Sequence, residues 1–114
     1  MDEGERQGIR EEFSRAVNMT AGELERWLRS DESNQVGDSA DGGESTGHAS
    51  GRRIVTLLRT KRADLTDDDY RHMRKVVGYV HRHEAQRPDK DVTRTAWRYS
   101  LMNWGHDPIK DSGR

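Results

Sequence analysis

The stretch that most constrains this chain is LTDDDYRHMRKVVGYVHRH, from Leu65 to His83. Thr66 and Asp69 have the spacing of a capping box, in which a threonine and an acid three residues later satisfy each other's backbone amides at a helix start. Three consecutive aspartates fall in the first turn and a His-Arg-His triplet falls in the last turn, as the helix macrodipole favours. This pattern predicts one long helix over Leu65–His83.

The predicted helix has two long faces of different chemistry. One stripe is apolar and should face the core. It consists of Tyr70, Met73, Val77 and Val80. The opposite side is basic and contains a glycine, with a shoulder of mixed side chains between the two. The basic side is Arg71, Arg74, Lys75 and Arg82 around Gly78, and the shoulder is His72, Val76, Tyr79 and His83. A glycine inside a helix costs about 1 kcal/mol relative to alanine, so we expect a backbone, of another helix or of a nucleic acid, to approach closely at Gly78.

The chain is short and polar. Its 114 residues suffice for one domain, and a hydrophobic content of 30% with a mean hydropathy of -1.18 predicts a small core. The absence of cysteine excludes disulfides, thiolate metal sites and a cysteine nucleophile. No apolar run approaches the roughly 18 residues of a membrane span, and there is no signal-peptide core. We therefore expect a cytoplasmic protein that does not enter the membrane.

Charge is distributed unevenly along the chain. Residues 1–51 hold 5 Lys+Arg and 12 Asp+Glu (-7), residues 52–98 hold 13 and 7 (+6), and residues 99–114 hold 2 of each, which together give the net charge of -1. Such asymmetry indicates either nucleic-acid contact or an acidic segment that folds over a basic one.

The spacing of apolar residues predicts three helices before the long one. The first covers Ile9–Val17. The second opens with a capping box at Thr20 and Glu23 and carries Trp27 as a core anchor. The third is expected to start at a Ser50 cap and to bury an apolar face made by residues 54–58.

A last helix is predicted near the carboxyl end. Thr93 or Thr95 should begin it, since both precede an apolar pattern at helical spacing. Trp97, Leu101 and Trp104 form that pattern. Gly105 suits the helix end, and Pro108 follows it.

The remaining segments are predicted to be flexible. They are a polar tail over residues 1–8, a Gly/Ser/Asp-rich loop over residues 31–50 and a tail over residues 110–114. The loop lacks the G-x-x-x-x-G-K-[ST] spacing of a phosphate-binding P-loop. The expected fold is all-α: a compact bundle of about five short helices in a single domain over residues 9–109, with the long loop inside it.

Four segments carry a resemblance to a known family: TAGELERWLRSDES, GHASGRRIVTLL, LTDDDYRHMRKVVGYVHRHEAQRP and WRYSLMNWGHDPIK. The chain from about Phe13 to Lys110 resembles a small microbial domain-of-unknown-function family, number thirty-one-forty in that series, some of whose members carry an unspecific DNA-binding label. The resemblance implies no catalytic or ligand residues. The loop over residues 34–43 departs from the family pattern, being richer in acids and less basic.

No chemistry-bearing constellation stands out. The histidines lack the i, i+3 or i, i+4 spacing of a chelating pair on one helix face, and His48 and His106 fall in predicted loops. His106 and Asp107 near Ser50 lack the nucleophile elbow and oxyanion loop of a hydrolase. We therefore expect neither an enzyme nor a metal site, and no cofactor.

Nucleic-acid binding is the preferred hypothesis. Basic residues on at least two helices lie opposite the apolar stripes, where they suit phosphate contact. The candidates are Arg52, Arg53, Arg59, Lys61, Arg62, Arg71, Arg74, Lys75 and Arg82. The hypothesis is a small DNA-binding protein, nucleoid-associated and directed to the phosphate backbone.

The alternative is a helical protein-interaction or self-association module without catalytic activity. Its protein partner would contact the aromatic shoulder of the long helix. The residues predicted to make this contact are His72, Tyr79 and His83. The two hypotheses differ in which side of the long helix carries the function.

Overall fold

The structure is a computed structural model, and it describes residues 1–36 and 45–112. Those residues form seven α-helices and no strand, which confirms the all-α prediction. The helices are α1 (Glu3–Ala16), α2 (Ala21–Leu28), α3 (Asp31–Gln35), α4 (Thr46–Leu58), α5 (Asp67–Glu84), α6 (Ala96–Asn103) and α7 (Pro108–Ser112). A short 3-10 turn, Arg62–Asp64, connects α4 to α5. Five helices have eight residues or more, and these correspond to the five that were predicted.

Two capping boxes occur where the spacing predicted them. In α5 the Thr66 hydroxyl accepts from the Asp69 amide at 3.1 Å, while the Asp69 carboxylate accepts from the Thr66 amide at 3.0 Å. Thr20 and Glu23 form the same arrangement at α2. Thr95 caps α6.

The predicted tail over residues 1–8 is wrong for residues 3–8, which are the first turns of α1. The Asp2 carboxylate caps the helix by accepting from the Glu5 amide at 2.8 Å. Arg6 then reaches Asp67 at the start of α5, and Arg10 donates to the Tyr70 hydroxyl at 2.7 Å. These contacts with α5 stabilise turns whose sequence has almost no apolar residue.

The predicted loop over residues 31–50 is wrong at both ends. Ser30 caps α3, and Ser45, rather than Ser50, caps α4 by accepting from the His48 amide at 3.0 Å. Ser50 is buried inside α4. The rest of the predicted loop, residues 37–44, lies outside the described residues.

The carboxyl-terminal tail is also shorter than predicted. Residues 110–112 belong to α7, which Pro108 opens at the first helical position, where a missing N–H costs nothing. Residues 113–114 lie outside the described part of the chain.

The core forms where α1 packs along α5 and where α2, α4 and α6 meet. The predicted apolar stripe of α5 is buried, and Val76, assigned to the shoulder, joins it with no exposed surface. Gly105 adopts a φ of 81°, a left-handed conformation that favours glycine, and turns the chain after α6. The turn places His106 next to α1, where its Nδ1 donates to the Ala16 carbonyl at 2.7 Å.

Candidate nucleic-acid interface

The nine basic residues predicted to bind nucleic acid do not form one continuous surface. Within the described residues, four of them are held by carboxylates of the same chain. These pairs are Arg53 with Asp68 (2.9 Å) and Asp69 (3.2 Å), Arg59 with Glu25 (3.1 Å), Arg71 with Asp68 (3.4 Å), and Arg74 with Glu5 (3.6 Å). Part of the basic charge is therefore compensated inside the molecule.

Two of these carboxylates, Asp68 and Glu25, are stabilised in the charged form by their arginine partners. The hydrogen bond from Arg53 lowers the pKa of Asp68 below its ordinary value, and the hydrogen bond from Arg59 lowers the pKa of Glu25. A nucleic acid that approached Arg53 or Arg59 would meet these negative charges as well. The two arginines are weak candidates for phosphate contact.

Three further candidates lie away from the middle of α5. Lys61 and Arg62 are exposed in the connection between α4 and α5. Arg52 lines a cavity of about 340 Å³ between α2 and α4, together with Arg59 and the Glu25 carboxylate. That carboxylate already pairs with both Arg29 and Arg59, so the cavity between α2 and α4 contains its own anion.

Lys75 and Arg82 differ from the other candidates in lining one cavity while having no carboxylate partner among the described residues. Both are exposed, and, like Lys61 and Arg62, neither forms an ion pair with any carboxylate in the part of the chain that the structure describes. They line a cavity of about 420 Å³, which we call the α4–α5–α6 groove. Its walls are the first turn of α4 (Ser45, Thr46, Gly47), the face of α5 that carries Lys75, Tyr79 and Arg82, and the end of α6 (Ser100, Asn103, Trp104), with Val36 at its rim. Among these described lining residues there are two cations and no carboxylate.

The groove is continuous with a basic stripe of α5. Arg71, Lys75, Gly78 and Arg82 recur at i, i+4, i+7 and i+11, which places them along one side of a helix. Lys75 and Arg82 are seven residues apart, or about 10 Å along the axis at 1.5 Å per residue. Arg71 extends the stripe beyond the groove, although Asp68 partly compensates its charge.

The expected close approach of another helix at Gly78 is wrong for the described residues, while the approach of a nucleic acid stays a prediction. The nearest atoms to a Cβ at Gly78 would belong to the Arg82 guanidinium, at 3.0 Å. The close approach occurs instead at Gly51 of α4, where a Cβ would lie 2.5 Å from the Asn103 carbonyl oxygen and 2.7 Å from Leu28 Cδ2. Gly78 leaves room for the arginine side chain to lie along α5.

The shoulder residues assigned to a protein partner contact other parts of this chain. Tyr79 stacks on Trp104 with ring centroids 4.2 Å apart and on His83 at 5.3 Å. His83 stacks on Trp97 at 5.9 Å; its Nε2 donates to the Trp97 carbonyl and its own carbonyl accepts from Trp97 Nε1. The result is a four-ring stack between α5 and α6, so Tyr79 and His83 hold these two helices together.

His72, the third shoulder residue, faces α4. Its Nε2 lies 3.0 Å from the Ser50 hydroxyl. Burial lowers the pKa of His72, with help from the nearby positive charge of Arg53. The ring therefore joins α5 to α4 and is half-buried in that contact.

Sequence reasoning missed the contribution of α4 and α6 to the groove. Gly47 fell in the predicted loop, and Trp104 was expected only to cover the core. The apolar spacing of α4 gives no sign of a start at Ser45, because residues 46–50 are small or polar. Only the folded arrangement brings this turn next to Lys75 and Arg82.

Other site types find no support in the described residues. In residues 1–36 and 45–112, no three His, Asp or Glu side chains are grouped as a metal site would require. No helix within these ranges is both long enough and apolar enough to cross a bilayer.

Comparison with known proteins gives one result. Neither the curated proteins nor the solved structures include a match to this chain. A family model does match, over residues 12–102, and its description is "Protein of unknown function (DUF3140)". The match runs from the last turn of α1 into α6, and it includes every described lining residue of the groove except Asn103 and Trp104. The chain therefore belongs to the family of proteins of unknown function DUF3140.

Proposed function

We propose that this protein binds DNA through backbone phosphates, with the α5 stripe and the α4–α5–α6 groove as the contact surface. The single observation that carries the proposal is the pair Lys75 and Arg82, two exposed cations of one groove that lack a carboxylate partner among the described residues. Uncompensated cations about 10 Å apart on a helix face suit two phosphates of one strand or of facing strands. The proposal needs no cofactor and no catalytic step, and it implies a nucleoid-associated location.

The surface is smaller than the nine candidates suggested. Lys75 and Arg82 supply two phosphate contacts, because Arg53, Arg59, Arg71 and Arg74 pair with acids. Each neutralised phosphate contributes about -0.9 to the slope of log K against log salt on duplex DNA, so two contacts predict a slope of about -1.8. Backbone contact also predicts equal affinity for unrelated sequences.

A fluorescence-anisotropy titration of short duplexes at several salt concentrations tests this. Lys75→Ala and Arg82→Ala should each weaken binding to all duplexes alike and reduce the magnitude of the slope by about one unit. Lys61→Ala is the matched control, since it removes one exposed positive charge outside the groove. The control should bind as the unmodified protein does.

Two results would contradict the proposal. One is a folded protein that does not bind duplex near physiological salt. The other is an equal loss in Lys61→Ala and Lys75→Ala, which would indicate dependence on net charge rather than on the groove. The interaction-module alternative stays a second prediction: His72, Tyr79 and His83 are partly exposed, although Tyr79 and His83 also stack against the α6 region.

A further inference from the structure

We infer that the α4–α5–α6 groove is a binding site for a phosphate monoester, the terminal phosphate of a nucleic-acid strand or of a small sugar phosphate. This inference deepens the proposed function and rests on it for the shared cations Lys75 and Arg82. The interior of the groove adds donors that a backbone-binding helix face does not need.

The first donors are backbone amides of α4. In this thirteen-residue helix the Ser45 side chain satisfies the His48 amide and the Ser45 carbonyl accepts from Ala49. The amides of Thr46 and Gly47, in the first turn, donate to no group among the described residues. Free amides at a helix start, with the macrodipole behind them, favour an anion.

The second observation is independent of the helix start. Trp104 has only 4% of its surface exposed and lines the groove. Its indole Nε1 has no hydrogen-bond partner in the described part of the chain and would lie 3.2 Å from a Cβ at Gly47. The other two indoles are satisfied: Trp27 Nε1 donates to Asn103 Oδ1 at 2.7 Å, and Trp97 Nε1 donates to the His83 carbonyl at 2.8 Å.

The Trp104 residue is almost fully buried, but its N–H is accessible from the groove and has no partner among the described residues, so it is free to donate to a ligand there. Because position 47 is a glycine, no side chain covers this donor. One cavity is thus bordered from three sides by the indole N–H, the two free amides, Lys75 and Arg82. All of these groups are hydrogen-bond donors, and the cavity's lining has no carboxylate in the described residues.

The number of donors favours a monoester over a diester. A monoester presents three unsubstituted oxygens and up to two negative charges, whereas each phosphate within a strand presents two free oxygens and one charge. The aromatic lining does not select a base. The Tyr79 ring already stacks on Trp104 and on His83, which leaves it less available to a nucleobase.

The indole resonance of Trp104 provides a specific readout. In ¹H–¹⁵N spectra of the full chain, inorganic phosphate and ribose 5-phosphate should shift the Trp104 Nε1–H peak in a saturable manner. The indole peaks of Trp27 and Trp97 should not shift, because their N–H groups already donate hydrogen bonds within the protein. Phosphate that leaves the Trp104 peak unmoved would overturn the inference.

Variants locate the binding site. Arg82→Met should weaken phosphate binding about tenfold, the change expected when one charge-assisted hydrogen bond is lost. Gly47→Ala should weaken it too, because the added Cβ covers the indole N–H, while alanine favours the helix and so keeps the fold. Gly8→Ala is the matched control: a Cβ there has no described neighbour within 4 Å, and phosphate affinity should not change. Equal affinity in Gly47→Ala and Gly8→Ala would overturn the inference.

Two further arms separate the sources and the two proposals. If strand ends are the ligand, an oligonucleotide with a 5′-phosphate should bind more tightly than its 5′-hydroxyl counterpart. If a small sugar phosphate is the ligand, ribose 5-phosphate should bind as tightly as the 5′-phosphorylated oligonucleotide. Saturable phosphate binding without duplex binding would uphold this inference and remove the proposed function. Duplex binding that does not depend on the end groups, with no shift of the Trp104 peak when phosphate is added, would uphold the proposed function and overturn this inference.

Discussion

At the residue scale, Asn103 is the polar centre of the fold. Its side chain is buried, with 2% of the residue exposed. Its Oδ1 accepts from Trp27 Nε1 at 2.7 Å and from the Ser33 hydroxyl at 2.5 Å, and its Nδ2 donates to the Ser33 carbonyl at 3.2 Å. One amide therefore joins α6 to α2 and α3, and it positions the wall of the groove beside Trp104.

Asn103→Ala should destabilise the protein strongly. The substitution leaves the Trp27 indole and the Ser33 hydroxyl without an acceptor in a buried place, at a cost of about 1–3 kcal/mol for each unsatisfied group. A shift of the urea midpoint at unchanged m-value measures this loss. Asn34→Ala, which removes an exposed amide that donates to the Ser30 carbonyl, is the matched control and should stay within about 0.5 kcal/mol of the parent. Equal midpoints for the two variants would contradict the role given to Asn103.

At the element scale, two helical glycines have opposite roles. Gly51 lies where α4 crosses Leu28 of α2 and the Asn103 carbonyl at the end of α6. Gly78 faces only the flexible end of Arg82. The first glycine permits a helix crossing, whereas the second permits a side chain to fold back along α5.

Alanine at these two positions should therefore change stability in opposite directions. Gly51→Ala forces α4 away from a backbone oxygen and should cost about 1–3 kcal/mol, the usual range for overpacking. Gly78→Ala gains helix propensity worth up to about 1 kcal/mol, because the guanidinium can move. Thermal unfolding monitored by circular dichroism at 222 nm ranks the two variants. A lower melting temperature for Gly78→Ala than for Gly51→Ala would contradict the packing described for these helices.

How far the sequence predicts these elements depends on the range of the interactions. The starts of α2, α5 and α6 follow from local spacing, since a cap and its acceptor are three residues apart. The start of α4 does not, because Ser50 and Ser45 are both plausible caps and only packing against α2 and α6 decides between them. Helix α3 has five residues and no apolar periodicity, so nothing local marks it.

The candidate site, too, is predictable from the sequence only where local spacing determines it. The basic stripe of α5 follows from helical spacing, and Lys75 and Arg82 were predicted from it. Pairing of Arg59 with Glu25 and of Arg74 with Glu5 joins residues far apart in sequence, and no local pattern reveals it. The unpartnered indole of Trp104 is also a consequence of tertiary structure, since a tryptophan on an apolar face is indistinguishable by spacing from a core residue.

At the scale of the whole molecule, the uneven charge distribution has a structural counterpart. Acids of the first half reach basic residues of the middle, as Glu5 reaches Arg74 and Glu25 reaches Arg59. The acidic segment thus partly covers the basic one, which was one of two readings of the charge pattern. Lys75 and Arg82 are not compensated by any carboxylate in the described residues, and the proposed ligand would bring negative charge to them.

A further ion pair joins α2 to the carboxyl end of the chain and makes stability depend on pH. Lys110 Nζ donates to Glu23 Oε1 at 2.6 Å, and the same oxygen accepts from the Thr20 amide at 2.8 Å. These hydrogen bonds, that from Lys110 first, lower the pKa of Glu23 from an ordinary 4.5 to about 2. Between these values the unfolded chain binds a proton that the folded chain does not, so this contribution to stability is complete above pH 4.5 and is lost as pH falls toward 2.

Glu23→Gln should make stability depend less steeply on pH in this window. Glutamine can still accept from the Thr20 amide, so the capping box survives and only the titrating charge is removed. Above pH 4.5 the variant should be less stable than the parent, and the difference should shrink as pH falls toward 2, since protonation removes the same charge from the parent. Urea midpoints across this range measure the difference, with Glu12→Gln as the charge-matched control, because Glu12 makes no hydrogen bond or ion pair with any described residue. A constant difference between parent and Glu23→Gln across the window would show that the Lys110 pair does not link the chain end to α2 electrostatically.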